Sequence, residues 1–306
     1  MGKMKKFQLF VLCQIGWGFL SPTQAAEGPL SASPVIVAVS SDTEKPAGLA
    51  EQVLQTLAED QQTLLFKIEQ DPNSYSETEK ELKLAEINKR YDTFVTENPK
   101  NIYGLILYGK FLRMISATAK AKAIFLKAKA IDDSLPVIHQ QLSNCFAEEG
   151  NHASALDELL RAIQLSPSVA QYHYQLGELL VTYHKEFLKE KVIESAVLEK
   201  KMQEAFAEAA KLAPQERSFA LRYAESFYEL EKPDWSAAMK CWEDLRKTSK
   251  SPKEEDLIAF NQASILFEMK KFEEARAKLG KVFHPDYEAA RQELLGKLPK
   301  PPTSNK

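Results

Sequence analysis

Glycine is scarce in this chain, with 11 among 306 residues. Those few form no phosphate-cradling loop, because neither G-x-x-x-x-G-K-[ST] nor G-x-G-x-x-G occurs. A G-x-S-x-G nucleophile elbow is missing too, as is an H-E-x-x-H zinc helix. Cysteine is rarer still: Cys13, Cys145 and Cys241 make neither a disulfide framework nor a metal-type spacing. No segment alternates apolar and polar residues for long, so no sheet is expected. After residue 20 no apolar run approaches a bilayer span. Acidic residues outnumber basic ones, 43 to 40, so nothing draws the chain as a whole to nucleic acid or anionic lipid.

What is present begins with a basic, then apolar, N-terminus. Lys3, Lys5 and Lys6 precede the run Phe7–Leu20, and Thr23-Gln24-Ala25-Ala26 follows. A positive region, an apolar region and a small-residue end together read as a secretory signal peptide over 1–26, cleaved near Ala25 or Ala26. The apolar run is shorter than the roughly 20 residues a membrane anchor needs. Leu12 ahead of Cys13 argues against a lipid-anchored cysteine. Cleavage would remove three lysines and no acid, leaving 37 basic and 43 acidic residues and a net charge of about −6. The expected product is exported, periplasmic or secreted. Residues 27–46 carry Gly28, Pro29, Ser31, Ser33, Pro34, Ser40, Ser41 and Pro46 around the apolar patch Val35–Val39, and read as a disordered linker.

From residue 47 the pattern turns helical. Leu49, Val53, Leu57, Leu64, Leu65 and Ile68 fall at three- and four-residue steps until Asp71-Pro72. Leu82, Leu84, Ile87, Tyr91 and Phe94 mark a second helix that stops at Pro99. A 34-residue self-similarity follows. Tyr108-Gly109, Leu142-Ser143 and Leu176-Gly177 recur at that interval, as do Leu112, Phe146 and Leu180. On a second stripe Ala121, Phe125, Ala128 and Ile131 are echoed by Ala155, Leu159, Ala162 and Leu165. Such a period means stacked units of two helices. Gly109, Ser143, Gly177, Ala224 and Ala263 sit where two helices must approach closely, because a larger side chain would hold the axes apart.

These residues resemble the tetratricopeptide repeat family, as an exported bacterial-type member. Its signature is a Leu-Gly pair followed by an aromatic, then Ala, an aromatic and a closing Pro. The likeness runs over roughly 77–298 and implies an all-α fold, a right-handed superhelical solenoid of antiparallel helix pairs. The repeat domain is expected over 47–298, about five repeats with a degenerate first pair and a C-terminal capping helix. A disordered tail, 299–306, closes the chain.

The resemblance implies a binding surface on the concave side, lined by first helices. Carried across, that pattern presents Tyr103, Ile106, Lys110 and Arg113 from the first full repeat, and Gln140, Asn144 and Glu148 from the second. The later repeats add Gln171, Tyr174 and Glu178, then Leu221, Glu225 and Tyr228, then Phe260, Ser264 and Phe267. The expected partner-binding residues are Tyr103, Lys110, Arg113, Asn144, Tyr174, Glu178, Tyr228, Phe260 and Phe267, with the aromatics as anchors. Family members that clamp acidic chaperone tails use a Lys/Asn/Lys/Arg set, which the Gln, Asn, Tyr and Glu found here do not match.

The expected role is a non-enzymatic scaffold for a protein or peptide partner. An accessory or chaperone-like periplasmic subunit of an envelope assembly is the alternative. No catalytic residue, cofactor or metal site is expected. His139 and His173 stand one period apart, which would suit an inter-repeat metal, but no acidic or cysteine ligand spacing recurs beside them, and packing is the favoured reading. The third repeat is 13 residues too long. The excess falls within His184–Lys201, which carries an apolar stripe of Phe187, Val192, Ala196 and Leu198. Two lengthened helices projecting with that stripe free to dock, or a fold back onto their own repeat, both satisfy the pattern.

Overall fold

The computed structural model describes residues 48–299, so the signal-peptide and linker expectations and residues 300–306 of the tail lie outside the described residues. The described chain divides into two compact units, 48–168 and 169–299. Among the described residues every regular element is helical, and no helix is long and apolar enough to cross a membrane.

The first unit holds α1 (Leu49–Gln70), α2 (Glu77–Glu97), α3 (Ile102–Met114), α4 (Thr118–Ile131), α5 (Pro136–Glu148) and α6 (His152–Leu165). Polar side chains set where these helices begin. Ser76 and Glu79 form a reciprocal capping box at α2. Asn101 accepts the Gly104 amide at 2.9 Å, and one period and a half later Asn151 accepts the Ser154 amide at 3.2 Å. Loops of three residues between α3 and α4 and between α5 and α6 leave room only for antiparallel neighbours.

The pairs close on the small residues. A Cβ on Gly109 would lie 2.6 Å from the Phe125 ring, so only hydrogen fits between α3 and α4 at that level. Ser143 occupies the same slot one period on, and its hydroxyl donates to Ala155 O at 2.7 Å. Around these slots Tyr91, Phe94, Phe111, Leu112, Phe125, Ile138 and Leu142 form one continuous core. Tyr91 and Tyr108 stack at 5.7 Å inside it.

The second unit holds α7 (Ala170–Thr182), α8 (His184–Lys189), α9 (Ser195–Leu212) and α10 (Arg217–Ser226). A 3-10 turn (Phe227–Glu229), α11 (Trp235–Lys247), α12 (Pro252–Glu268), α13 (Phe272–Leu279) and α14 (Pro285–Lys297) complete it. Gly177 meets Phe206 as Gly109 meets Phe125: an added Cβ would lie 2.5 Å from the ring. The glycines are two periods apart, whereas the phenylalanines are separated by 13 residues more. The excess therefore lies between contact partners and leaves the contact intact.

The structure decides between the two geometries for that excess. Helix α8 continues α7 after Tyr183, residues 190–194 turn, and α9 returns. Of the apolar stripe, Phe187 and Leu198 are fully buried, whereas Val192 and Ala196 stay exposed. Glu199 also accepts the Glu231 amide at 3.0 Å, which ties the extension to the turn before α11. Phe187 and Leu198 thus serve the fold of their own unit. At the C-terminal end α12, α13 and α14 share a core of Phe260, Ala263, Leu266, Leu279, Tyr287 and Leu294. Cys145 is buried and Cys241 half-buried, and both are free thiols.

Candidate functional site

First helices stand beside one another in each unit, and ion pairs hold them there. In the first unit, Tyr103 projects from α3 with half its surface exposed, and Lys110 is exposed about two turns on. Arg113 is used internally. Its guanidinium donates to Gln141 Oε1 at 3.0 Å and to Glu148 Oε1 at 2.7 Å, and its side chain keeps only 5% exposure. Glu148 also takes the Thr118 hydroxyl at 2.6 Å, so it joins α3 and α4 to α5. Asn144 is half-buried on α5.

His139 is buried in the same unit. Nε2 lies 2.7 Å from Asp133 O, and Nδ1 lies 2.6 Å from Glu158 Oε2. Glu158 is shared with Lys129 at 2.6 Å. Both ring nitrogens are thus committed to the fold. Among the described residues no three His, Cys, Asp or Glu side chains come together as a metal site.

The second unit gathers the most charge. Tyr174 on α7 stacks on Phe219 at 4.8 Å and meets Phe206 edge-on at 5.8 Å. It is half-buried against Ala209 and Phe219 rather than standing free as an anchor. Burial, and then the Glu178 carboxylate, hold its phenol well above the usual tyrosine range. Glu178, one turn on, accepts from Arg222 Nε of α10 at 2.6 Å. The Arg222 guanidinium lies 4.4 Å over the Phe206 ring and 4.0 Å from Glu229. Burial works against that positive charge, but Glu178, Glu225 and Glu229 outweigh it and keep the guanidinium protonated.

Glu225 differs from Glu178. Burial raises its pKa from the ordinary 4.5 to about 7; Arg222 opposes the rise, and Glu178 and Glu229 add to it. Unlike Glu178, it accepts no hydrogen bond among the described residues. One guanidinium therefore faces three carboxylates: Glu178 on α7, Glu225 on α10 and Glu229 in the 3-10 turn after it. Sequence reasoning placed Glu178 and Glu225 on this face but missed Arg222. The one signal for it was a basic residue three before Glu225 on the same helix.

Farther along, Tyr228 donates to Asn261 O at 3.2 Å, and Arg217 Nε pairs with Glu254 at 2.5 Å, which joins α10 to α12. Phe267 is half-buried, 5.9 Å from the Phe272 ring. Phe260 departs from its expected place: it is 7% exposed and belongs to the core that α14 completes. A terminal helix packed beside α12 covers a face that an open-ended repeat would leave bare.

No protein-family model matches the chain, and no curated protein matches it. Solved structures do. YrrB, described as a TPR protein with an unusual peptide-binding site, is 15% identical. The match spans 68% of this chain and 96% of YrrB, with a TM-score of 0.53. PilF of Pseudomonas aeruginosa is 14% identical over 80% of this chain and 99% of its own, with a TM-score of 0.51. At such identities the likeness is one of fold, and the chain has the tetratricopeptide-repeat fold of stacked helix pairs.

Proposed function

We propose that the chain is a non-enzymatic scaffold that binds a protein or peptide partner on exposed faces of its first helices. The observation that carries this reading is the charged and aromatic concentration on α7, α10 and the 3-10 turn after it: Tyr174, Glu178, Arg222, Glu225 and Glu229. A repeat fold spends its interior on stacking, so a partner must be met by side chains that stacking does not consume. Tyr103, Lys110, Asn144, Glu178 and Phe267 on first helices, and Tyr228 in the 3-10 turn after α10, keep some exposure and are the proposed contacts. Arg113, Tyr174 and Phe260 support them from beneath. YrrB, which shares the fold, carries a peptide-binding site, which supports the same use of this one.

Selection of the full chain against a random peptide library tests the reading. Enriched peptides are expected to lose at least tenfold in affinity to Tyr228→Ala and Glu178→Ala, and nothing to Leu126→Ala or Leu160→Ala on second helices. Binding that depends on Leu126 or Leu160 instead would overturn it.

A further inference from the structure

We propose that the apolar segment Val35–Val39 of this chain docks into the groove between α1 and α2 and caps the first helix pair. This stands apart from the scaffold reading. It also departs from the linker reading of 27–46, because it takes the apolar patch there as a docked element.

The first observation is a stripe that loses its cover. Leu49, Val53 and Leu57 fall four residues apart on one face of α1. Leu57 is 1% exposed, Val53 48% and Leu49 80%. The stripe therefore lies in the core at Leu57 and runs bare where the chain enters the helix. In the second unit α14 supplies such cover to α12. Among the described residues no helix does the same for Leu49 and Val53.

The second observation is the groove beside that stripe. It encloses about 420 Å³ between α1 and the α2 stretch from Glu86 to Glu97. Leu57 and Phe94 are covered and form its floor, and half-exposed Val53 stands in its wall. A cleft of roughly this size takes several apolar side chains at once.

The chain just ahead of α1 selects the occupant. Val35–Val39 is the one uninterrupted apolar run between residues 27 and 46. Four of its five residues are β-branched, which favours an extended backbone. Val35, Val37 and Val39 then share one face. Five extended residues cover about 17 Å, and the α2 stretch has nearly the same length at about 1.5 Å per residue. Residues 40–48 link Val39 to Leu49, and those nine residues reach up to about 30 Å. Val53 lies about one turn beyond Leu49. A short tether thus holds the segment at high local concentration beside the groove, an advantage that a second copy of the chain lacks.

Hydrogen exchange on the full chain tests the proposal. Amides of 35–39 are expected to exchange at least tenfold more slowly than in a synthetic peptide of residues 30–45. Val37→Asp should abolish that protection and speed exchange of residues 53–57 at least threefold, while 285–297 stay unchanged. Val37→Ile should keep the wild-type pattern. Because residue 37 lies ahead of every described helix, the substitution leaves the repeat packing itself intact. Peptide-like exchange at 35–39 in the wild type overturns the proposal. So does protection at 35–39 that Val37→Asp removes without any effect at 53–57, since the segment would then be held elsewhere. Protection that falls on tenfold dilution overturns it too, because a second copy would then fill the groove.

Discussion

His139 and Glu158 form a buried contact across the α5–α6 pair, Nδ1 to Oε2 at 2.6 Å, and the far side of the same ring is held 2.7 Å from Asp133 O. A single imidazole thus ties the loop before its own helix to the next helix. Replacing it with alanine opens a cavity and leaves a carbonyl and a carboxylate short of a partner. His139→Ala is expected to cost about 2–4 kcal/mol. Urea unfolding measures this. A chelator should leave the wild-type melting curve unmoved, because both nitrogens already have protein partners.

Gly109 and Gly177 are expected to be intolerant of even one carbon. The new Cβ would stand 2.6 Å from Phe125 in one case and 2.5 Å from Phe206 in the other. Gly109→Ala and Gly177→Ala should each destabilise by about 1–3 kcal/mol despite alanine's better helix propensity. Adding Phe125→Leu to the first variant should recover part of the loss. Thermal melts of the two singles and the double check both claims, and a stabilised Gly109→Ala contradicts the packing described for α3 and α4.

Glu225 makes stability depend on pH. Its folded pKa, about 7, stands above the ordinary 4.5, so the folded state holds the proton more tightly than the unfolded one. The stabilisation from that proton is complete below about pH 4.5 and is lost as pH rises through 7. The loss at pH 8 is roughly 3 kcal/mol at one pKa unit per 1.4 kcal/mol. Glu225→Gln should therefore gain on the wild type between pH 5 and pH 8. Denaturation midpoints of both proteins at those two values give the answer; a constant difference contradicts it.

Three turns place a residue in the left-handed backbone region, where glycine is most at ease. Ser116 has φ 59° and Lys270 φ 61°, and Gly150, one period after Ser116, has φ 77°. Each turn closes with the same long amide bond, from Ala117 to Leu112 O, Asn151 to Phe146 O and Lys271 to Leu266 O. Ser116→Gly and Lys270→Gly should each stabilise by about 0.5–1 kcal/mol, and Gly150→Ala should destabilise by a similar amount. Equilibrium melts resolve differences of this size when the three variants are compared side by side.

Much of this molecule is legible along the chain. The recurrence of Gly109, Ser143 and Gly177 announces helix pairs, because close approach of two helices needs a small residue at a fixed place in each. Caps such as Ser76 and Asn101 mark helix starts through contacts only three residues long. The first-helix face was legible as a set of positions, including Glu178 and Glu225. Its state was not. Tyr174 lies half-buried between rings 32 and 45 residues away in sequence, Phe206 and Phe219. Phe260 is covered because α14 completes its core, and no pattern within α12 records that.

The amino-acid sequence alone determined the helical class, the period, the slots for small residues and the place of the 13-residue excess. These depend on local spacing, which repeats wherever the same short-range packing is needed. Tertiary structure alone decided which polar groups are satisfied. Arg222 reaches Glu178 across 44 residues while Glu225, three positions away, is left without a bond. It also decided that Phe187 and Leu198 close the extension on itself. Electrostatic balance and burial are properties of neighbours brought together from separate helices, and helical periodicity carries no information about which neighbours those are.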